Sequence, residues 1–253
     1  RDNERTARES QQDLVYIPPE DRTAEDLGSR EKIKQAKKLV WYPSEVDVSI
    51  RPGWFYHANQ DDRVKTPVKL VDIYYSSVGR NSLLLLNLPP DRRGLIREND
   101  IAGLMEMRRI LDATFADNML NGAVIKASDL RKGHPAVCMV DGKIDTYWTT
   151  NKGVESAVIE FILPQVQRFD RLMLQENIRV GQRIERFIVE VETKEGWRKI
   201  CEGTTVGYKR LLRFPVVKAQ KIRLQILQSR ASPTLNNLGL YASPAAAAGD
   251  VEK

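Results

Sequence analysis

Residues 41–57 read WYPSEVDVSIRPGWFYH, and this stretch decides the fold of the first part of the chain. Polar and apolar residues alternate from Glu45 onward, which predicts a β-strand with one apolar face. The other face carries Glu45, Asp47, Ser49 and Arg51. Pro52-Gly53 then predicts a turn at the strand end, with three aromatic residues directly after it.

The segments that follow alternate between helix and strand. Residues 66–78 (TPVKLVDIYYSSV) predict an amphipathic helix with Thr66 as its N-cap. Residues 82–88 (SLLLLNL) predict a strand that is buried on both faces, and residues 98–117 predict a second helix. This alternation is typical of a parallel α/β layer or barrel.

The pattern changes at about residue 118. Short, mostly alternating runs separated by Gly, Pro or charged turns predict the strands of a β-sandwich. We therefore predict an α/β plus all-β protein. Residues 1–117 form the α/β part, residues 118–243 form the sandwich, and residues 244–253 are a tail.

The composition excludes several classes of protein. The chain has 253 residues, of which 42% are hydrophobic and 29% charged, as in a globular protein with room for two domains. No apolar run is long enough to cross a membrane. The net charge is +6, but the basic residues are interspersed with 34 acidic ones and form no block, which argues against nucleic acid as a partner. Cys138 and Cys201 lie far apart without a CxxC motif, so no zinc site is expected.

The first twelve residues, RDNERTARESQQ, are charged and polar and contain no signal peptide. The chain also lacks an initiator Met. We therefore expect it to be the later part of a longer polypeptide.

Glu45 and Asp47 are the candidate catalytic carboxylates. Glu45 is expected near the carboxyl end of its strand, the edge where the active sites of parallel barrels lie. Carboxylates two residues apart on one strand face are about 7 Å apart, farther than the roughly 5 to 5.5 Å of a retaining glycosidase pair. They are therefore not predicted to act as acid and nucleophile. A structural alternative, in which Asp47 pairs with Arg51 and Glu45 caps a loop, stays open on spacing alone.

Trp54, Phe55, Tyr56 and His57 follow the turn directly. Exposed aromatic rings next to carboxylates suit a sugar site, because flat rings pack on the CH faces of a pyranose while polar groups bind its hydroxyls. The alternative is a small aromatic core beneath a loop.

Residues 41–57 and 71–96 (VDIYYSSVGRNSLLLLNLPPDRRGLI) resemble the later barrel half of the α-L-fucosidases of glycoside hydrolase family 29. The resemblance implies that residues 1–117 are the C-terminal portion of a distorted (β/α)8-like barrel. It implies an exo-acting, retaining enzyme that releases terminal α-L-fucose without a metal or other cofactor. The sequence is closer to the branch that prefers α-1,3 and α-1,4 linkages.

The resemblance also implies roles for single residues. The general acid/base of the family block P-x-E-x-D-x-S-I-R-P-G-W falls on Glu45. Arg51 and Asp47 are assigned to positioning, and Trp54 and His57 to substrate contact. The family's nucleophile Asp belongs to a W-F-D-G-like motif, which this sequence lacks. Either an N-terminal barrel half supplies it as a partner of this chain, or the chain is inactive by itself.

Residues 141–148 (DGKIDTYW) and 229–241 (SRASPTLNNLGLY) resemble a discoidin or galactose-binding-like β-sandwich. Such domains can bind sugars, although we expect Trp148 in the core rather than at a binding surface. The alternative function is thus a non-catalytic carbohydrate-binding protein that uses the sandwich. Fucosylated oligosaccharides or glycoconjugates are the implied partners. Because they occur outside the cytoplasm, we expect a periplasmic or secreted protein, or a lysosomal one in an animal.

Overall fold

The computed structural model describes residues 44–244, together with residues 31 and 34. Most of the segment before the first strand, and the tail predicted for residues 244–253 apart from its first residue, lie outside the described residues. Neither of the described helices is long and apolar enough to cross a membrane.

The α/β part contains two parallel strands and two helices. Strand β1 (Glu45–Ser49) pairs in parallel with β2 (Leu83–Asn87). Helix α1 (Pro67–Ser76) connects them, and helix α2 (Glu98–Phe115) follows. The predicted N-cap of α1 is confirmed, because the Thr66 hydroxyl accepts a hydrogen bond from the Lys69 backbone N–H. Parallel strands connected by a helix confirm the predicted α/β class.

The prediction that β2 is buried on both faces is wrong for the described structure. Leu83 and Leu85 are 59% and 48% exposed, whereas Leu84 and Leu86 are half-buried. The reason is that no described element covers the face of the sheet that carries Leu83 and Leu85. In the register of the two strands, these two exposed leucines lie beside Glu45 and Asp47 of β1.

The second part is a β-sandwich, as predicted. Its described strands are β3 (Val124–Ala127), β4 (Trp148–Thr149), β5 (Ala157–Gln175), β6 (Ile184–Thr193), β7 (Gly196–Gly203), β8 (Arg210–Ser229) and β9 (Thr234–Tyr241). Among the described residues they form one seven-stranded sheet in the order β4-β9-β5-β8-β6-β7, with β3 paired to β5. The pairs that involve β5, β6 and β9 are antiparallel.

The two longest strands each contain two of the short alternating runs of the sequence. Residues 157–163 and 168–175 lie in β5, and residues 210–214 and 221–228 lie in β8, which begins one residue after the start of the run 209–214. The pairing of β5 with β8 shifts register between Ile162 and Gln167, around Pro164, and again between Phe169 and Arg171. A proline cannot donate to the ladder, and such bulges bend a strand without ending it.

Aromatic side chains fill the sandwich core. Trp148, Phe169, Phe187 and Phe214 are buried there. The Trp148 indole N–H donates to the Asp129 carbonyl at 3.0 Å, so its polar atom is satisfied. The expectation that Trp148 packs in the core is confirmed.

The two parts share a small apolar cluster centred on Tyr75 of α1. Leu211 of β8 packs against it, and the Leu211 backbone N–H donates to the Gly79 carbonyl at 2.9 Å. The Arg213 guanidinium lies 4.9 Å from the Tyr75 ring centroid and pairs with Asp72 at 2.6 Å. These contacts join the α/β part to the sandwich.

Candidate active site

Glu45 and Asp47 project from the same face of β1 and are both exposed. Glu45 is the first residue of β1, and Ser49 is the last. The prediction that Glu45 lies near the carboxyl end of its strand is therefore wrong. Pairing with β2 starts at Glu45, and four residues of extended chain, about 13 Å, separate it from the carboxyl end.

Arg51 is buried beneath the turn that follows β1. Its Nε donates to Asp100 Oδ2 and its Nη1 to Asp61 Oδ1, both at 2.9 Å. The guanidinium also stacks on the Tyr56 ring, 4.8 Å from the centroid. The alternative pairing of Asp47 with Arg51 is therefore wrong, because β1 ends before Arg51 and the side chain turns inward.

The charge of Arg51 is maintained by its two carboxylate partners. Burial opposes the charged form, and hydrogen bonds to Asp100 and Asp61 more than offset it, so the pKa of Arg51 is raised above its ordinary value. Asp100 is in the first turn of α2, where a carboxylate is favoured by the helix dipole. A buried, paired guanidinium is suited to positioning the loop, not to direct contact with a ligand.

The aromatic residues after the turn divide into two groups. Trp54 and Phe55 are 51% and 78% exposed, and His57 is exposed as well. Tyr56 alone is partly covered, by the Arg51 guanidinium. The alternative of a small aromatic core therefore fails for Trp54, Phe55 and His57, which face solvent.

Ser49 and Asn87 end the two parallel strands side by side. Asn87 Nδ2 donates to Ser49 Oγ at 3.1 Å and to the Trp54 carbonyl at 3.0 Å. Ser49 Oγ donates in turn to the Gly53 carbonyl at 2.8 Å. This arrangement is not predicted from the sequence, where its one signal is a single polar residue, Asn87, inside the apolar run LLLLNL.

The sandwich carries a separate small cavity of about 40 Å³ near the end of β5. Tyr208 and Ile178 are exposed at its wall, and the buried Asn236 Oδ1 has no hydrogen-bond partner in the structure. The lining residues are Ile144, Gln175, Glu176, Asn177, Ile178, Arg179, Tyr208 and Asn236.

Within residues 44–244, no group of three or more His, Cys, Asp or Glu side chains is arranged to hold a metal ion. His134 lies in a loop and contacts the Tyr147 carbonyl through Nδ1 at 2.9 Å. Cys138 and Cys201 are free thiols.

Comparison with protein families assigns each part of the chain. Residues 124–241 match the F5/8 type C domain, which defines the second part as a sandwich of the discoidin class. Residues 3–114 match the family described as Alpha-L-fucosidase. The first part is thus related to a family of glycoside hydrolases.

Individual relatives agree with this assignment. Alpha-L-fucosidase 1 of Arabidopsis thaliana is 40% identical over 209 residues, which are 79% of this chain and 41% of that protein. A second relative, from Oryza sativa subsp. japonica, is also named as an alpha-L-fucosidase 1. It is 42% identical over 206 residues, which are 79% of this chain and 40% of the rice protein. The chain spans about two fifths of the length of these curated relatives.

A solved structure gives the same result. The GH29 fucosidase E1_10125 of Ruminococcus gnavus, solved in complex with fucose, has a TM-score of 0.76 and is 32% identical. The match covers 83% of this chain and 43% of that one. The predicted fold class, a fucosidase C-terminal region followed by a β-sandwich, is confirmed.

Proposed function

We propose that this chain contributes to an exo-α-L-fucosidase that hydrolyses terminal α-L-fucose with retention of configuration. The observation that carries the proposal is an exposed carboxylate, Glu45, within the family block in the region that matches the α-L-fucosidases. The fucose complex of the Ruminococcus gnavus relative supports fucose as the sugar. The resemblance to the α-1,3/1,4-preferring branch leads us to propose those linkages.

In this mechanism Glu45 is the general acid/base. It first donates a proton to the glycosidic oxygen as the nucleophile attacks the anomeric carbon, and it then takes a proton from the incoming water. Asp47 lies on the same face, one outward position along β1. We propose that Asp47 and Arg51 position the site and that Trp54 and His57 contact the substrate.

The nucleophile is proposed to come from an N-terminal barrel half that packs against this chain. The exposed face of the two-stranded sheet supports this, because Leu83 and Leu85 present apolar surface that a further barrel strand or its side chains would cover. Neighbouring apolar side chains that are half exposed on one face of a parallel sheet are typical of a surface that another part of the protein covers.

The test is carried out on the whole gene product, meaning the polypeptide translated from the complete reading frame that encodes these residues. Glu45→Gln removes the acid, and Asp47→Asn is the matched control on the same strand face. For a fucosylated oligosaccharide, whose leaving group is poor, we expect Glu45→Gln to lower kcat by about 10²- to 10⁴-fold. For 4-nitrophenyl α-L-fucoside, whose leaving group needs little protonation, the loss should be far smaller.

Equal losses on both substrates, or a larger selective loss in Asp47→Asn, would contradict the role of Glu45. Comparing release of fucose from α-1,3/1,4-linked and α-1,2-linked oligosaccharides tests the linkage preference. A wild-type gene product that prefers the α-1,2 linkage would refute it.

A second candidate function is carbohydrate binding by the sandwich alone, within the proposed bounds 118–243. The observation that favours it is the cavity beside Tyr208, which combines exposed apolar side chains with an unsatisfied amide oxygen. Titration of this chain with fucosylated oligosaccharides, followed by calorimetry, tests it, and Tyr208→Ala should abolish the heat of binding.

Fucosylated glycans as substrates also lead us to propose a periplasmic or secreted location, or a lysosomal one in an animal.

A further inference from the structure

The turn that carries Trp54 is held by hydrogen bonds to its backbone. We call the following set the Asn87 clip: Asn87 Nδ2 with the Trp54 carbonyl at 3.0 Å and Ser49 Oγ at 3.1 Å, and Ser49 Oγ with the Gly53 carbonyl at 2.8 Å. Both amide protons of Asn87 are used, and Ser49 is buried. The clip therefore connects the ends of both parallel strands to two successive carbonyls of the turn.

Side-chain packing at Gly53 and Trp54 themselves contributes little to holding this part of the turn. A Cβ added to Gly53 would meet no atom within 4 Å. The Trp54 side chain is half exposed and, among the described residues, has no ring stacking or cation–π partner. Among the described residues, the clip supplies the hydrogen bonds to the Gly53 and Trp54 carbonyls, while Lys65 Nζ donates to the Ser49 carbonyl at 2.6 Å just before the turn. The clip therefore fixes the backbone from which the Trp54 ring projects.

We propose that Asn87 is a positioning residue for substrate binding, acting through Trp54. The clip lies at the carboxyl ends of β1 and β2, the edge at which parallel α/β enzymes bind their substrates. An aromatic ring at this edge binds the CH face of a sugar, provided that its orientation is fixed before binding. This inference rests on the proposed fucosidase function and adds Asn87 and Ser49 to the residues that serve it.

The first experiment measures KM and kcat of the whole gene product. Asn87→Asp replaces the donating amide by an oxygen that repels the Trp54 carbonyl. Losing two neutral hydrogen bonds should raise KM by about five- to twentyfold, with kcat changed less than about twofold, because ground-state and transition-state binding weaken together. Ser49→Ala, which removes one end of the clip, should shift KM in the same direction by a smaller factor.

Ser82→Ala is the matched control. The hydroxyls of Ser44 and Ser82 are hydrogen-bonded at 2.8 Å at the amino end of the same strand pair, 38 residues apart, as are Ser49 and Asn87. Loss of the Ser82 hydroxyl thus weakens the strand pair without touching the Trp54 turn. A rise in KM in Ser82→Ala equal to that in Asn87→Asp would overturn the proposal.

A second experiment does not depend on activity. Protein labelled with 5-fluorotryptophan gives one ¹⁹F resonance for each of its Trp residues, four in this chain, and Trp54→Phe assigns the Trp54 resonance. We expect Asn87→Asp and Ser49→Ala to shift or broaden this resonance, while Ser82→Ala leaves it in place. An unchanged Trp54 resonance in both clip variants would overturn the proposal.

The two experiments separate the two failures. Without hydrolysis by the wild-type gene product, the proposed function fails and the substrate role of Trp54 is overturned with it. A normal wild-type rate combined with an unchanged KM in Asn87→Asp overturns the role of Asn87 and leaves the fucosidase in place.

Discussion

Replacing Arg51 by Met should destabilise the α/β part of the chain by about 3–5 kcal/mol, the usual result of breaking a buried ion pair by removing one partner. The Arg51 and Asp100 side chains are both inaccessible to solvent and meet at 2.9 Å. Without the guanidinium, the Asp100 carboxylate is left buried next to an apolar chain. Asp61, the second partner, is partly exposed, keeps Arg97 at 3.2 Å and therefore contributes less to the loss.

Urea unfolding of this chain, followed by circular dichroism, measures the effect. Arg108→Met is the control on α2, because Arg108 and Asp112 form an exposed pair at 2.7 Å whose loss should cost only about 0.3–0.5 kcal/mol. In the double variant Arg51→Met/Asp100→Asn the buried charge is gone, so at least about 1 kcal/mol of the loss should be recovered. A loss below about 1 kcal/mol in Arg51→Met, or a double variant no more stable than the single one, would refute the reasoning.

Three further predictions concern the sandwich. Burial raises the pKa of the Cys201 thiol to about 12, so at pH 8 only about one thiol in ten thousand is the reactive thiolate. Mass spectrometry after treatment with iodoacetamide should therefore show Cys201 unmodified in the native protein. Rapid alkylation of Cys201 in the native protein would contradict this. The hydrogen bond from Arg223 lowers the pKa of Glu190. The ionised Glu190 therefore stabilises the fold above the ordinary pKa of a glutamate, and this stabilisation is lost as the pH falls through the lowered pKa. The urea midpoint should fall more steeply with acidification in the wild type than in Glu190→Gln, and parallel curves would exclude this contribution. Trp148→Ala should cost about 3–5 kcal/mol, since it leaves a cavity and an unpaired Asp129 carbonyl; thermal unfolding measures this, and a loss below about 1 kcal/mol would be inconsistent with a core role.

The elements that the sequence predicts well are those with local signals. Helix α1 starts where Thr66 and Pro67 predict, because the capping hydrogen bond spans three residues. The change from helical to alternating patterns at about residue 118 falls between helix α2 and strand β3. The bends in β5 and β8 are not distinguished from strand ends by the sequence, since a bulge and a turn interrupt the alternation in the same way.

The candidate site depends on contacts that are distant in sequence, and these were not predicted. Arg51 meets Asp100 across 49 residues, and Asn87 meets Ser49 across 38. Spacing alone left the partner of Arg51 open, because it gives no information on which carboxylate the fold brings beneath the turn. The strand end was also misplaced relative to Glu45, since an alternating pattern fixes the faces of a strand more firmly than its termini.

We propose that these residues serve a retaining α-L-fucosidase. ¹H NMR of the reaction of the whole gene product with a fucosylated oligosaccharide tests it most directly, because the α and β anomers of free fucose give separate signals and interconvert slowly. We expect α-L-fucose to accumulate first, followed by its equilibration with the β anomer, and we expect Glu45→Gln to slow this release by about 10²- to 10⁴-fold. Initial appearance of the β anomer, or no release of fucose by the wild-type gene product, would contradict the claim.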